Sequence, residues 1–426
     1  LSQPATQPAR TSQPNVVLGM LLLVYIFNFL DRQILSILVE PIKDETGFSD
    51  TQMGLLGGLP FAILYSTMAI PFSALADRTS RSKVIAAALV VWSGFTALFG
   101  LTHAYWQMFL ARMGVGVGEA GGVAPSYALI ADYFPSTHRA RAISVYSLGI
   151  PLGSAFGLLA GGYIAANVDW RAAFITVGLA GILIAPLFLW IVKDVPEPVA
   201  PANTPSAFWD TIGETWAIVR RKKAFWLMAL GAASASMIGY GLAFWFPAFL
   251  MRSFEFDLQE ASRFVAGLLL SGGVAGILAS GILADKIGKK DRAFYTRLPA
   301  VAFVLAVPLF AAGILSENPT LAFFIFIIPQ ALVYFWLGPI LSAVQHLVEP
   351  RLRATASALF LLINNLIGLA GGIYALGAFS DALKPAYGDE ALRYSMLFGL
   401  ALYLLAAALL AAAGPALRKG WVDEAG

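Results

Sequence analysis

The stretch Gly281-Ile-Leu-Ala-Asp285-Lys286-Ile-Gly288-Lys289-Lys290 has an earlier near-copy, Ser73-Ala-Leu-Ala-Asp77-Arg78-Thr-Ser-Arg81-Ser82, Asp77 and Asp285 lying 208 positions apart. Each is a short charged turn between long apolar runs. An acid followed by a basic cluster, repeated at that period, reads as two copies of one membrane half, the way many carriers are built. A second pair keeps nearly the same offset: His138-Arg139-Ala-Arg141 and Pro350-Arg351-Leu-Arg353 each open an apolar run.

Composition reaches the membrane independently. Of 426 residues, 58% are hydrophobic and only 12% charged, and the mean hydropathy is +0.74. Soluble domains carry about 25% charged residues, so most of this chain belongs in lipid. Apolar runs of roughly 20 residues or more, enough to span a bilayer, fall at 16–40, 51–76, 83–103, 106–133, 140–167 and 172–192. A second set falls at 224–250, 260–284, 293–315, 320–347, 354–380 and 393–413, giving an all-α membrane protein with twelve transmembrane helices in two six-helix bundles. Of the 28 Lys and Arg residues, 20 fall on the side carrying both termini and six on the other (Lys43, Arg171, Arg252, Arg263, Lys384, Arg393), while Arg32 and Arg112 lie inside runs. The positive-inside rule then places both termini in the cytoplasm, in the inner or plasma membrane of the cell. The expected domains are a disordered tail (1–15), an N-terminal bundle (16–192), a linker (193–223), a C-terminal bundle (224–413) and a short cytoplasmic tail (414–426). Within the linker, Phe208, Trp209, Ile212, Trp216 and Val219 suggest one apolar face of a surface helix. A tether between bundles is the simplest role for it, a regulatory partner site the alternative.

Several function classes drop out. Cysteine is absent, which removes disulfides, thiolate nucleophiles and cysteine metal sites. The three histidines, His103, His138 and His346, lie in separate segments and make neither a metal set nor a triad, so no metal is expected and no enzyme activity. Gly116-Val-Gly118-Glu119-Ala-Gly121 matches the dinucleotide-binding glycine pattern, but it lies within a membrane run with no strand before it. The slight positive charge of +3 follows membrane-face asymmetry; no nucleic acid is implied.

Four charges lie where lipid penalises them: Asp31, Arg32, Arg112 and Glu119. An ion at the centre of a spanning helix costs at least about 2.5–3.5 kcal/mol, so such groups line a cavity or pair. The first run heads outward and the fourth inward, and at about 1.5 Å per residue Asp31 falls between the depths of Arg112 and Glu119, which share a helical face. Two carboxylates around one arginine suit proton coupling, because desolvation and a nearby guanidinium act on a carboxyl in opposite directions. Asp31 and Glu119 are the protonation candidates and Arg112 their switchable partner, able also to hold a phosphate bidentately; Arg32 has the weakest claim, as a gate or snorkelling residue. A static ion network is the alternative. The second half holds almost no charge in its runs but offers Tyr240, Phe244, Trp245, Phe246, Tyr334, Phe335 and Trp336 with Ser234, Ser236, Gln330, Gln345, Asn364 and Asn365. With Asn28 and Tyr65 from the first half, Tyr240, Trp245, Tyr334 and Asn364 are the expected cavity lining. One ionic and one aromatic wall suit an amphiphile, although each aromatic taken singly fits ordinary packing as well.

The doubled loop, with Arg112-Met-Gly-Val-Gly116-Val-Gly118 and Gly149-Ile-Pro151-Leu-Gly153, resembles the signatures of the major facilitator superfamily across essentially the whole chain. The second loop copy fits the pattern at every key position; the first has Ser73 and Ser80 where glycines are expected. Leu30-Asp31-Arg32, Trp92-Ser93 and Gly118-Glu119-Ala120 are similar to the Spinster group, and a bacterial homologue is suggested. The resemblance implies a pseudo-symmetric pair of bundles rocking about a central cavity, and carriage of lysophospholipids or sphingosine-1-phosphate, in some relatives linked to protons. The expectation is therefore a monomeric, proton-coupled lipid carrier with no cofactor beyond the proton, its partners being the amphiphilic substrate and membrane lipids. Asp77, Arg78, Arg81, Asp285, Lys286, Lys289 and Lys290 would switch its conformation, or merely set topology, and Gly149, Pro151, Gly153 and Gly157 would pack helices closely. A carrier of small organic anions or drug-like solutes, and a transport-dead sensor on the same scaffold, are the competing readings.

Overall fold

In lipid every backbone N–H and C=O must be satisfied within its own segment, so apolar runs of this length fold as helices. The computed structural model describes residues 12–194, 205–287, 291–349 and 352–422, and all regular structure among them is helical. The first half comprises α1 (Pro14–Ile37), α2 (Val39–Thr46), α3 (Asp50–Gly57), α4 (Leu59–Arg78), α5 (Arg81–Phe99), α6 (Tyr105–Ala120), α7 (Val123–Tyr133), α8 (Ser136–Ser147), α9 (Gly149–Asn167) and α10 (Trp170–Ile191). After α11 (Pro205–Val219) come α12 (Lys223–Ser253), α13 (Leu258–Leu268), a π-helical turn at Leu269–Gly273 and α14 (Val274–Ile287). The chain ends with α15 (Phe294–Ile314), α16 (Pro319–Leu332), α17 (Leu337–Gln345), α18 (Arg353–Tyr387), α19 (Ala391–Gly399) and α20 (Ala401–Gly420). Nine helical stretches among the described residues are long and apolar enough to cross a membrane. The last of them, Thr355–Gly420, has 66 residues, about 100 Å if straight. It turns back at Gly388, whose φ of +56° favours glycine.

Each half packs around its own core: α1 on α9, α5 on α10 and α6, and α4 on α6 in the first; α12 on α18 and α20, and α15 on α16 and α20 in the second. The contact of α1 with α9 is unusually close. A Cβ on Gly153 would lie 2.4 Å from the Ile26 carbonyl oxygen, one on Gly157 2.7 Å from that of Leu30, and one on Gly149 2.8 Å from the Tyr25 ring. Pro151 is buried on the same helix. This stripe fixes the height and rotation of α1, and with them Asp31 and Arg32.

The halves meet through α3 and α4 on α18, α9 on α13 and α1 on α12. The polar bonds between them gather at the end opposite Arg81 and Arg353. There Arg252 on α12 reaches across to Glu40 at 2.6 Å and to both oxygens of Asp50 at 2.7 and 2.8 Å. Lys43 also pairs with Asp50, and Ser380 on α18 donates to it at 2.7 Å. Asp381 accepts from the Thr51 amide and hydroxyl at 2.7 and 2.6 Å. Burial pushes the Asp50 carboxyl up, but Arg252 and Lys43 outweigh it and hold the group well below the usual carboxylate range. Asp50 is therefore charged at neutral pH, and its share of the latch is lost as pH falls through that depressed value. Backbones close in beneath it, where a Cβ on Gly377 would lie 2.4 Å from the Asp50 carbonyl oxygen.

At the other end Arg81 pairs with Asp132 on α7, and Asp194 accepts from the Ser82 amide at 2.9 Å, so these contacts stay inside the first half. Of the other residues expected to form the conformational switch, Asp77, Arg78, Asp285 and Lys286 lie on helices with side chains outside the described set, and Lys289 and Lys290 lie outside the described residues. The expected apolar face of α11 divides differently. Thr215 and Val219 are buried, whereas Trp209 is 63% exposed and Trp216 37%; Trp216 instead meets Trp226 edge-on at 5.8 Å. The Phe208 side chain is outside the described set.

Removing Arg252 leaves Asp50 and Glu40 without their shared cation, at a cost of about 3–5 kcal/mol when such a pair is buried. Spin labels on cysteines placed at Val168 and Leu315, in a chain without native cysteine, should report an Arg252→Ala population shifted by at least about 100-fold toward longer distances. Gly153→Leu should cost about 1–3 kcal/mol by overpacking, read as a lowered Tm, while Gly19→Leu, with nothing among the described residues within 4 Å of a Cβ, should leave it nearly unchanged.

Candidate functional site: a buried charge cluster between the halves

The first-half core contains the four charges that the sequence singles out. Glu119 on α6 has no exposed surface, and its Oε2 accepts from Nε of Arg32 on α1 at 2.7 Å. Asp31, 1% exposed, accepts from the Thr96 hydroxyl on α5 at 3.2 Å. Arg112 is 4% exposed and forms no ion pair within 4 Å among the described residues; its guanidinium faces the Phe61 ring at 5.3 Å. The partner of Glu119 is thus Arg32, not Arg112 as depth along the helices suggests. Consecutive residues on a helix point about 100° apart, and the α9 stripe turns Asp31 into the bundle and leaves Arg32 at its rim.

Arg32 keeps 15% of its side chain exposed. Around it stand Tyr65 at 4.5 Å, Phe61 at 4.7 Å and Phe29 at 5.0 Å, measured to the ring centres. A guanidinium over aromatic faces gains about 0.5–2 kcal/mol by each favourable contact, which offsets part of its desolvation. Next to it, Gln33 donates to the Ala243 carbonyl on α12 at 3.3 Å, bringing Tyr240 of the second half within electrostatic reach of Arg32. Tyr240 in turn neighbours Tyr334, which bonds Gln330. Arg32, Tyr65, Tyr240 and Tyr334 are all partly exposed and form one wall-to-wall set where the halves face each other.

Several buried polar atoms in this region have no hydrogen-bond partner among the described residues: Oδ1 of Asp31, Oε1 of Glu119, Nε of Arg112, Oδ1 of Asn28, and the hydroxyls of Ser66 and Ser93. Groups of this kind each cost about 1–3 kcal/mol, so the cluster is retained against stability. Asn28 sits beside Glu119 and belongs to the cluster rather than to the open wall. Two expected lining residues are corrected. Trp245 is fully buried, its Nε1 donating to the Ile373 carbonyl at 2.9 Å; it welds α12 to α18. Asn364, 2% exposed, accepts from the Ser236 hydroxyl at 2.9 Å across the same pair of helices. Phe244 and Phe246 are likewise core. Sequence reading missed Phe61 and Thr96. Phe61 is one helical turn before Tyr65, a spacing that puts both rings on one face and marks an aromatic shelf for a cation.

The Major Facilitator Superfamily profile matches residues 21–372. An "MFS-type efflux pump" of Mycolicibacterium smegmatis is 35% identical over 394 residues, covering 92% of this chain and 89% of the relative. Protein spinster homolog 1 of Mus musculus is 28% identical over 415 residues, covering 90% and 77%. Among solved structures, a bacterial homologue of the human lysosomal transporter Spinster, inward-facing and unoccupied, superposes with a TM-score of 0.86 at 29% identity over 98% of this chain and 100% of that one. Its inward-facing occupied form gives 0.82, covering 96% and 99%. The relatives are transporters rather than enzymes. This chain is an integral multi-pass membrane protein that belongs to the major facilitator superfamily, and within it a homologue of the Spinster-type transporters.

Proposed function

We propose that the protein is a proton-coupled, alternating-access carrier of an amphiphilic anionic lipid, of the lysophospholipid or sphingosine-1-phosphate type, with the proton as its only coupling species and the single chain as its working unit. Twelve crossings with both termini cytoplasmic fit the helix order and the charge asymmetry of the loops. The sealed end then faces outward, and the likeness to inward-facing relatives supports that reading.

The observation that carries the proposal is the position of Arg32, bonded to buried Glu119 on one side and partly exposed beside Tyr65 on the other. An anionic head group that draws the guanidinium toward itself leaves Glu119 without its counter-charge in a dry core. A carboxylate in that position must take up a proton or lose far more free energy than the head group supplies. Release of the head group restores the ion pair and expels the proton. Asp31 and Arg112, each with an unpartnered atom, supply a second proton site and a fixed positive potential behind the pair. The tyrosines of both halves would lie along the acyl chain.

A second reading, export of a small organic or drug-like solute, is favoured by the efflux-pump relative in Mycolicibacterium smegmatis. Uptake of labelled sphingosine-1-phosphate, lysophospholipids and a panel of cationic dyes into proteoliposomes, with and without an imposed pH gradient, separates the two. Gradient-stimulated lipid accumulation is expected; dye transport without lipid transport would overturn the lipid assignment. Arg32→Gln should weaken lipid binding about 10- to 100-fold, the worth of a charge-assisted contact. Glu119→Gln should leave binding within a few-fold of wild type yet remove the response to the gradient, and Asp31→Asn should impair proton-driven uptake more than binding. Equal loss of binding and gradient response in the two carboxylate variants would place those groups in the lipid site itself.

A further inference from the structure

A second basic feature lies on the outer flank of the second half, away from Arg32. The start of α12 and the end of α20 form a groove of about 460 Å³ lined by Lys222, Lys223, Ala224, Ala412, Pro415 and Lys419, together with Ala416 and Gly420. Its rim is basic: Lys223 and Lys419 are exposed, and neither has an acidic partner within 4 Å among the described residues. Lys222 is half-buried and donates to the Leu347 carbonyl at 2.6 Å and the Gly420 carbonyl at 3.2 Å; an ammonium has three protons to give, so one remains. Burial lowers the Lys222 pKa, an effect that a neighbouring anion opposes. Arg418, next to Lys419, is already engaged by Asp291 at 2.7 and 3.0 Å. Below the lysines the wall is apolar, and Ala412 and Pro415 are exposed where α20 enters its hydrophobic run.

We infer that this groove binds the head group of a diacyl anionic phospholipid from the surrounding bilayer, with Lys223 and Lys419 on the phosphodiester and the acyl chains along α20. Charge complementarity selects the anion, since three lysines line the groove and no carboxylate does among its described residues. The apolar wall, with Ala412 and Pro415 exposed, selects a lipid over a soluble phosphate, in keeping with basic pockets between spanning helices at a membrane surface. Through Lys222 the bound lipid would tie the beginning of α12 to the ends of α17 and α20. The site shares no residue with the Arg32–Glu119 cluster or with the Tyr65, Tyr240 and Tyr334 set beside it.

The test is thermal unfolding of the full chain in detergent with added phosphatidylglycerol, phosphatidylethanolamine or inorganic phosphate. Phosphatidylglycerol should raise the wild-type Tm by about 2–4 °C, with little effect from the other two. Lys223→Gln/Lys419→Gln should lose most of that rise and retain at least threefold less phosphatidylglycerol in native mass spectrometry. Lys223→Arg/Lys419→Arg should keep both, as should Lys83→Gln, an exposed base removed from the first half. Arg32→Gln should also keep the full rise, which separates this site from the substrate site. An undiminished rise in the double Gln variant, an equal rise with phosphatidylethanolamine or inorganic phosphate, or loss of the rise in Arg32→Gln alone would each overturn the inference.

Discussion

One ion pair governs the geometry of the centre: Arg32 and Glu119, 2.7 Å apart, the acid without exposed surface and the base at the rim. A buried carboxylate is tolerable only with a partner, and that requirement links α1 to α6 through this bridge. The approach of α1 to α9 across Gly153 and Gly157 sets which of two adjacent residues, Asp31 or Arg32, faces the gap. Phe61 then serves two cations at once, at 4.7 Å from Arg32 and 5.3 Å from Arg112. Packing, charge and aromatic placement thus depend on one another, and none of the three explains the site alone.

The second organising contact is the Arg252 latch with Glu40 and Asp50. It joins the halves at one end, and Gln33 on Ala243 continues the contact toward the middle. Below that bond the partly exposed side chains of Arg32, Tyr65 and Tyr240 begin. Seam and site thus share α12, and the Gln33 bond on α1 lies one residue from Arg32.

Much of this was legible in the chain. Lipid makes internal charges costly enough that Asp31, Arg32, Arg112 and Glu119 stand out against their apolar context, and the duplicated Asp77 and Asp285 turns reveal two halves. Rotation was not legible. Depth along a helix can be counted, but the azimuth that gave Glu119 to Arg32 and left Arg112 facing a ring depends on how α1 sits on α9. The same limit applies to Trp245 and Asn364, whose polar atoms satisfy partners across α12 and α18; aromatic and amide content says nothing about which side of a helix faces a cavity. Arg252 was visible only as one of six bases on the sparse side, because its acids lie more than 200 residues earlier.

Counted as ionised, the four central groups, two carboxylates and two guanidiniums, sum to zero. If one monoanionic head group enters and one proton follows it onto Glu119, the loaded cluster is again neutral. Membrane voltage, worth about 2.3 kcal/mol per charge per 100 mV, then neither drives nor opposes the loaded carrier, and transport is electroneutral. A dianionic phosphate head with the same single proton leaves one negative charge uncompensated, and its passage becomes electrogenic. Under the proposed coupling, the charge of the cargo, rather than any change in the protein, would decide whether the membrane potential is felt.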